Sequence, residues 1–329
     1  MELKQPPGRW IRSSLRFVSA LLFLSAIIYG QSFLIVQCWQ QFWISSSVLF
    51  QSQWRKFLQL FGDDDYYLYV WGCVLSILVP FWGAGSIFVF MDYYSWPKWI
   101  LKYKIQPGTN EPVDFRKVIQ TAKVVLINQW FLTVPLLHIN YYVKKMNHTM
   151  PDFSELPTLQ RLFFDLAVFL VIDEVGLYYV HRLQHHPKLY AAVHKKHHEW
   201  NAPIAIVFTY STQMEYLMTL LPVNIPAKNC LWFRKGPHIM NPHIVTLWIW
   251  YALVHLRGIK NHSGYHFPWF MWPSAHAHDF HHMTSNSCFG KSLVLDRLHG
   301  TDKAFRVYMA RKKETEEQER VTQISNKLK

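Results

Sequence analysis

The chain has 329 residues and a formal net charge of +13, with 50 % hydrophobic, 17 % aromatic and only 17 % charged residues. A soluble domain carries about a quarter charged residues, so one water-soluble core does not account for this much apolar surface. The positive charge suits anionic headgroups or an acidic partner, no basic-aromatic module for nucleic acid is visible, and Cys38, Cys73, Cys230 and Cys288 form no C-x-x-C pair, which excludes a disulfide framework or zinc finger.

In chain order, residues 17–54 contain no Asp, Glu, Lys or Arg, and neither do 66–91 or 124–143. Each run is long enough for a membrane helix, which needs about 20 apolar residues. The first has no clear small-residue cleavage site after it and reads as a retained anchor. Lys4, Arg9, Arg12 and Arg16 ahead of it favour a cytosolic N-terminus. The basic loop 92–123 then lies on the cytosolic side, and the loop 144–165, with the sequon Asn147-His148-Thr149, in the lumen. Segment 166–180 is shorter and holds Asp173 and Glu174; it is a weaker span, or one whose acids face the protein interior. Residues 203–227, broken only by Glu215, and 236–256 read as an apolar hairpin, although Lys228, Arg234 and Lys235 sit awkwardly at its lumenal end. The charged tail 303–329 reads as an exposed helix or a mobile end. The expected fold class is all-α: a polytopic membrane protein with about four to six apolar segments and a cytosolic, helical, His-rich cap.

Ten of the 18 histidines fall into four spaced groups. His181 and His185 lie in "HRLQHH", His194, His197 and His198 in "HKKHH", His262 and His266 in "NHSGYH", and His278, His281 and His282 in "HDFHH". Residues three or four apart share a helix face, so the imidazoles of each group are expected to converge while Lys195, Lys196, Asp279 and Phe280 point elsewhere. One metal does not need ten imidazoles; two metals with about five each would use them and leave positions for dioxygen or water. Imidazole accepts iron, zinc, copper and nickel, so the ligand type does not choose the metal.

"HRLQHHPKLYAAVHKKHHEWNAPI", "HSGYHFP" and "HDFHH…NSCFG…LDRLHGT" together resemble the fatty acid hydroxylase superfamily over roughly residues 160–305. The resemblance implies a 160–305 di-metal catalytic domain between a 1–159 transmembrane region and a 306–329 charged tail. It implies two iron ions (zinc can replace them in isolated protein) held by the ten histidines on the cytosolic face of the endoplasmic reticulum membrane, with both termini cytosolic. The implied reaction is oxidation of a C–H bond of a sterol or fatty acyl lipid by dioxygen, with electrons from NAD(P)H through cytochrome b5 and its reductase. Asp173, Glu174 and Asp279 are candidates to orient ligating imidazoles, or are ordinary salt bridges and caps. The sequence departs from the family where "STQMEYLMTLLPV" lacks an Ala-His-Pro histidine near Thr212-Gln213, and where 227–242 is longer than the family norm. That departure motivates one alternative, a catalytically inactive membrane scaffold or regulator that retains the metal site. A lipid desaturase is the other, because His181 to His186 also satisfies H-x-x-x-x-H.

Overall fold

A computed structural model describes residues 36–39, 41, 45–61, 64–224, 242–268 and 274–327. Most of the first uncharged run, and the turn of the expected hairpin at 225–241, lie outside these residues. The chain divides into two units, Met1–Asp63 and Asp64–Lys329. In the first unit a helix runs over 45–60, with Trp54 stacked on Phe57.

The second unit is helical, and its described residues contain no strand. Helix α1 (Gly72–Tyr94) continues a π-helical turn at Tyr67–Trp71. Helix α2 (Phe115–Asn128) starts where the Asp114 carboxylate accepts from the Arg116 N–H, and passes through a π-helical turn into α3 (Val134–Met146). These two continuous pieces, Tyr67–Tyr94 and Phe115–Met146, are the only helices among the described residues long and apolar enough to cross a membrane. Only 28 % of each apolar window is buried, whereas a soluble core helix would be mostly covered. Leu75, Val79 and Ile87 on α1, and Phe131 and Ile139 on the other, are left outward where lipid would solvate them.

The remaining elements carry the His-rich part. They are α4 (Leu159–Gln184), α5 (Pro187–Val193), α6 (Gln213–Asn224), α7 (Ile244–His262), α8 (Ser274–Thr284), α9 (Val294–His299) and α10 (Lys303–Lys327). The acids of segment 166–180 do face inward: Asp173 is bonded by Lys291, and Glu174 by Arg257 and Ser292. Helix α7 packs along α1, and the loop before α6 lies beneath both. In that loop Ile204, Ala205, Ile206 and Val207 are buried in a core with Phe81, Val125 and Ile259. The apolar character of 203–211 therefore comes from protein packing, and within 203–224 only α6 is an α-helix. Helix α7 comes close because Gly258 has no side chain; a Cβ there would collide with the Phe208 ring. The charged tail is the long helix α10, exposed except near Phe305.

Candidate metal centre

Helix ends deliver the histidines. His181 lies in the last turn of α4, and His185 caps it. His186 caps the N-terminus of α5, accepting from the Lys188 N–H, and His194 closes the C-terminus of the same helix. The chain then turns through Lys195 and Lys196 into a 3-10 turn at His197–Glu199. "HKKHH" is thus not one α-helical face, and its imidazoles do not point one way. "HDFHH" does lie on one helix, α8.

The structure gathers nine of the ten expected imidazoles into two groups. His181, His185, His194, His198 and His281 form one, and His197, His262, His278 and His282 the other; within each, one ligand atom per ring lies within 4.8 Å of all the others. Both triplets are divided between the groups. His194 and His198 go to the five-imidazole group and His197 to the four; His278 and His282 go to the four and His281 to the five. Each group therefore draws on "HKKHH" and "HDFHH" together.

The tenth, His266, stands apart from both. Helix α7 ends at His262, and Gly264 follows with φ +75°, where a side chain would be strained and would press on the Pro203 carbonyl. Beyond it the backbone pairs with the 103–105 segment: Ile105 N–H donates to the Gly264 carbonyl and His266 N–H to that of Tyr103. The His266 ring lies 4.3 Å from that of His276.

Outer partners fix the tautomers of five of the gathered rings. Nδ1 donates to a backbone carbonyl in His181 (Phe289, 2.7 Å), His197 (Tyr210, 3.0 Å), His262 (Gly258, 2.9 Å), His281 (Ser287, 2.6 Å) and His282 (Trp200, 2.9 Å). His198 Nδ1 meets Ser285 Oγ at 3.0 Å. A carbonyl only accepts, so each of those five rings carries its proton on Nδ1 and a bare lone pair on Nε2. Yet the Nε2 atoms face one another: His181 to His194 at 3.2 Å, His198 to His194 at 3.1 Å, His281 to His198 at 3.2 Å, and His197 to His262 at 3.2 Å. In His197 and His262 both Nε2 atoms are bare, and two lone pairs at that distance repel; protonation is not the remedy. Burial and the neighbouring rings hold all nine below the usual imidazole range, His197 at about 4 and His198 at about 2. A cation does relieve the repulsion. Metal–nitrogen bonds of about 2.0–2.1 Å put neighbouring donors roughly 2.9–3.4 Å apart in octahedral or tetrahedral geometry. Nε2 of His185 and of His282 is buried with no hydrogen-bond partner, again as a ligand atom would be. The donor set fits two metal ions.

Asp173, Glu174 and Asp279 bond elsewhere: Asp173 and Glu174 to Lys291, Arg257 and Ser292, and Asp279 to Gln106. The carboxylate that does reach an imidazole of the two groups is Glu215, whose Oε1 lies 2.8 Å from His194 Nδ1. It interrupts an otherwise uncharged run, and a lone acid in such a run needs a buried partner; that was the available signal. The carbonyl acceptors left no trace in residue identity.

A cavity opens on the imidazoles from between α4, α6 and α7. Leu177, Phe208, Tyr216, Leu220 and Val254 line it, and His181, His194, His197, His262 and His278 border it.

The fatty acid hydroxylase family model matches residues 166–301. The chain is similar to human fatty acid hydroxylase domain-containing protein 2, at 37 % identity over 81 % of this chain and 77 % of that protein. It is also similar to methylsterol monooxygenase 1 of Rattus norvegicus (29 % identity, 80 % of this chain, 87 % of that one) and to methylsterol monooxygenase 2-2 of Arabidopsis thaliana (28 %, 78 % and 93 %). No solved structure matches the chain.

Proposed function

Since the chain belongs to the fatty acid hydroxylase family, we propose that it is a membrane-bound di-iron oxygenase acting on a C–H bond of a sterol or fatty acyl lipid. The family's lipid and sterol oxygenase relatives and the two apolar helices support a membrane oxidoreductase with a lipid substrate. The observation that carries the reading is the convergence of Nε2 atoms, two of them facing bare in His197 and His262, in two buried imidazole groups that open onto an apolar cavity.

In the proposed reaction a C–H bond becomes C–OH, one oxygen atom of dioxygen enters the product, and the other leaves as water with two electrons and two protons. Cytochrome b5 and its reductase would supply the electrons from NAD(P)H. When bound, the metal pair supplies oxygen activation. The protein's residues do the rest. Nine imidazoles hold the metals, with His266 the remaining candidate, and the carbonyls behind them lock ring orientation. Leu177, Phe208 and Val254 seat an apolar chain or ring beside the imidazoles and keep water from the reacting carbon. Residues 160–305 form the proposed catalytic domain, between the transmembrane region 1–159 and the tail 306–329. It faces the cytosol from the endoplasmic reticulum, where the surplus of basic residues suits an acidic electron donor.

The test is metal analysis of purified protein together with lipid profiling of cells that lack it, rescued by wild type or by His281→Ala. About two irons per chain, and a sterol or acyl hydroxylation product restored by wild type alone, are expected. Metal-free protein, or equal rescue by both forms, overturns the reading.

A further inference from the structure

Glu215 sits on α6 with its side chain buried, against the outer edge of the five-imidazole group. Its Oε1 lies 2.8 Å from His194 Nδ1, and its Oε2 has no partner. The contact is short but not aligned as a full hydrogen bond. No Lys or Arg pairs with the carboxylate among the described residues. It stands out against the other outer partners, which are neutral: the carbonyls of Phe289, Tyr210, Gly258, Ser287 and Trp200, and the hydroxyl of Ser285. His194 is also central to its group. Its Nε2 lies within 3.2 Å of the Nε2 atoms of both His181 and His198.

We infer that Glu215 is a positioning residue that acts through His194 to make the five-imidazole position bind its metal more tightly than the four-imidazole position. The inference rests on the metal-centre reading above. Two physical effects carry it. An imidazole whose outer N–H faces a carboxylate is a stronger donor through its other nitrogen than one facing a carbonyl. Burial alone holds the Glu215 carboxyl well above the usual carboxylate range, and a divalent cation next to it brings out its negative charge, so with the metal bound the carboxylate sets one negative charge beside it. Five neutral rings and Glu215 leave one net positive charge with the metal in place; four neutral rings leave two. Buried charge is costly, so the compensated position is favoured. Conversely, the metal is the cation that Glu215 otherwise lacks.

Cobalt(II) titration of the metal-free full chain in detergent, followed by its visible spectrum, tests this without turnover. His185→Ala and His282→Ala assign each binding step to one group. Glu215→Gln keeps the shape and removes the charge. It is expected to weaken the step assigned to the five-imidazole group by about ten- to a hundred-fold. The other step should stay unchanged, which also shows that the variant is folded. Glu215→Asp should recover part of the lost affinity. An unchanged first step, or equal weakening of both steps, overturns the role of Glu215. Wild-type protein that binds no cobalt overturns the metal-centre reading itself.

Discussion

The Nε2 atoms of His197 and His262 lie 3.2 Å apart, and each ring has already committed its Nδ1 proton to a backbone carbonyl. His198, the next residue, turns instead to His194 and His281 in the other group. Adjacent residues thus join different imidazole groups. The pair His197→Ala/His262→Ala should leave about one metal per chain, and so should His194→Ala/His198→Ala, while the four changes together should leave none. Metal analysis after dialysis against a weak chelator reads the result. Loss of both metals from the first pair would mean one shared site rather than two.

The metal-free centre should make stability depend on pH in a defined sense. Burial first, then the neighbouring rings, keep the nine imidazoles neutral in the fold below the 6.5 of an ordinary histidine; His197 comes down to about 4 and His198 to about 2. As pH falls below about 6.5 the unfolded chain takes up protons that the folded chain refuses, so stability is lost progressively toward pH 4. Above that window both states are neutral and this dependence vanishes. Asp279, raised to about 7 by its burial, and Glu215, also raised by burial, work in the opposite sense, losing stability as pH rises above about 4, but the nine imidazoles outnumber these acids. Thermal unfolding of stripped protein in detergent from pH 7.5 to 5 should show a falling midpoint. A flat profile would contradict the neutral, buried cluster.

The gathering of the imidazoles was legible because helix spacing puts them three and four residues apart on one face, as "HDFHH" is on α8. Its division was not. Where the chain leaves the helix at His194, the spacing of "HKKHH" no longer predicts direction, and tertiary packing decides which group each ring joins. His266 departs for a similar reason: its one-turn spacing from His262 matters only if the helix continues, and it stops at His262, before the turn at Gly264. Apolar runs had the same ambiguity. Residues 66–91 and 203–211 both lack charge, but the first makes up nearly all of a long outward-facing helix and the second is core under α7. Hydropathy measures transfer out of water and does not say whether lipid or protein receives the side chain.

Phe208 and Gly258 are coupled by contact. The ring occupies the space a Cβ at Gly258 would need, lines the cavity and lies 5.5 Å from the His262 ring, centre to centre. Gly258→Ala should push it toward the cavity, costing about 1–3 kcal/mol of stability and lowering turnover of the natural lipid. Adding Phe208→Ala removes the clash, so the double variant should be more stable than the two single losses predict, by roughly 0.5–3 kcal/mol. It should also accept bulkier lipids. Thermal unfolding gives the coupling and product analysis the substrate range; strictly additive losses would show that the two residues do not meet.

Asp173 and Lys291 form the buried ion pair beside the cavity. The ammonium lies 3.1 and 2.8 Å from the two carboxylate oxygens, with the side chains only 1 % and 9 % exposed for Asp173 and Lys291. Removing one partner should cost far more than removing both. Asp173→Ala strands a buried ammonium in an apolar wall, with an expected loss of about 3–5 kcal/mol. Arg257 does not replace the missing acid, since it brings a second positive charge and already pairs with Glu174 at 3.1 Å. Asp173→Leu together with Lys291→Met fills similar volume without charge and should restore most of the stability. Unfolding midpoints of the three proteins in one detergent decide it. A double variant no better than Asp173→Ala would mean that the acid's contribution comes from packing or from Arg257 rather than from its charge on Lys291.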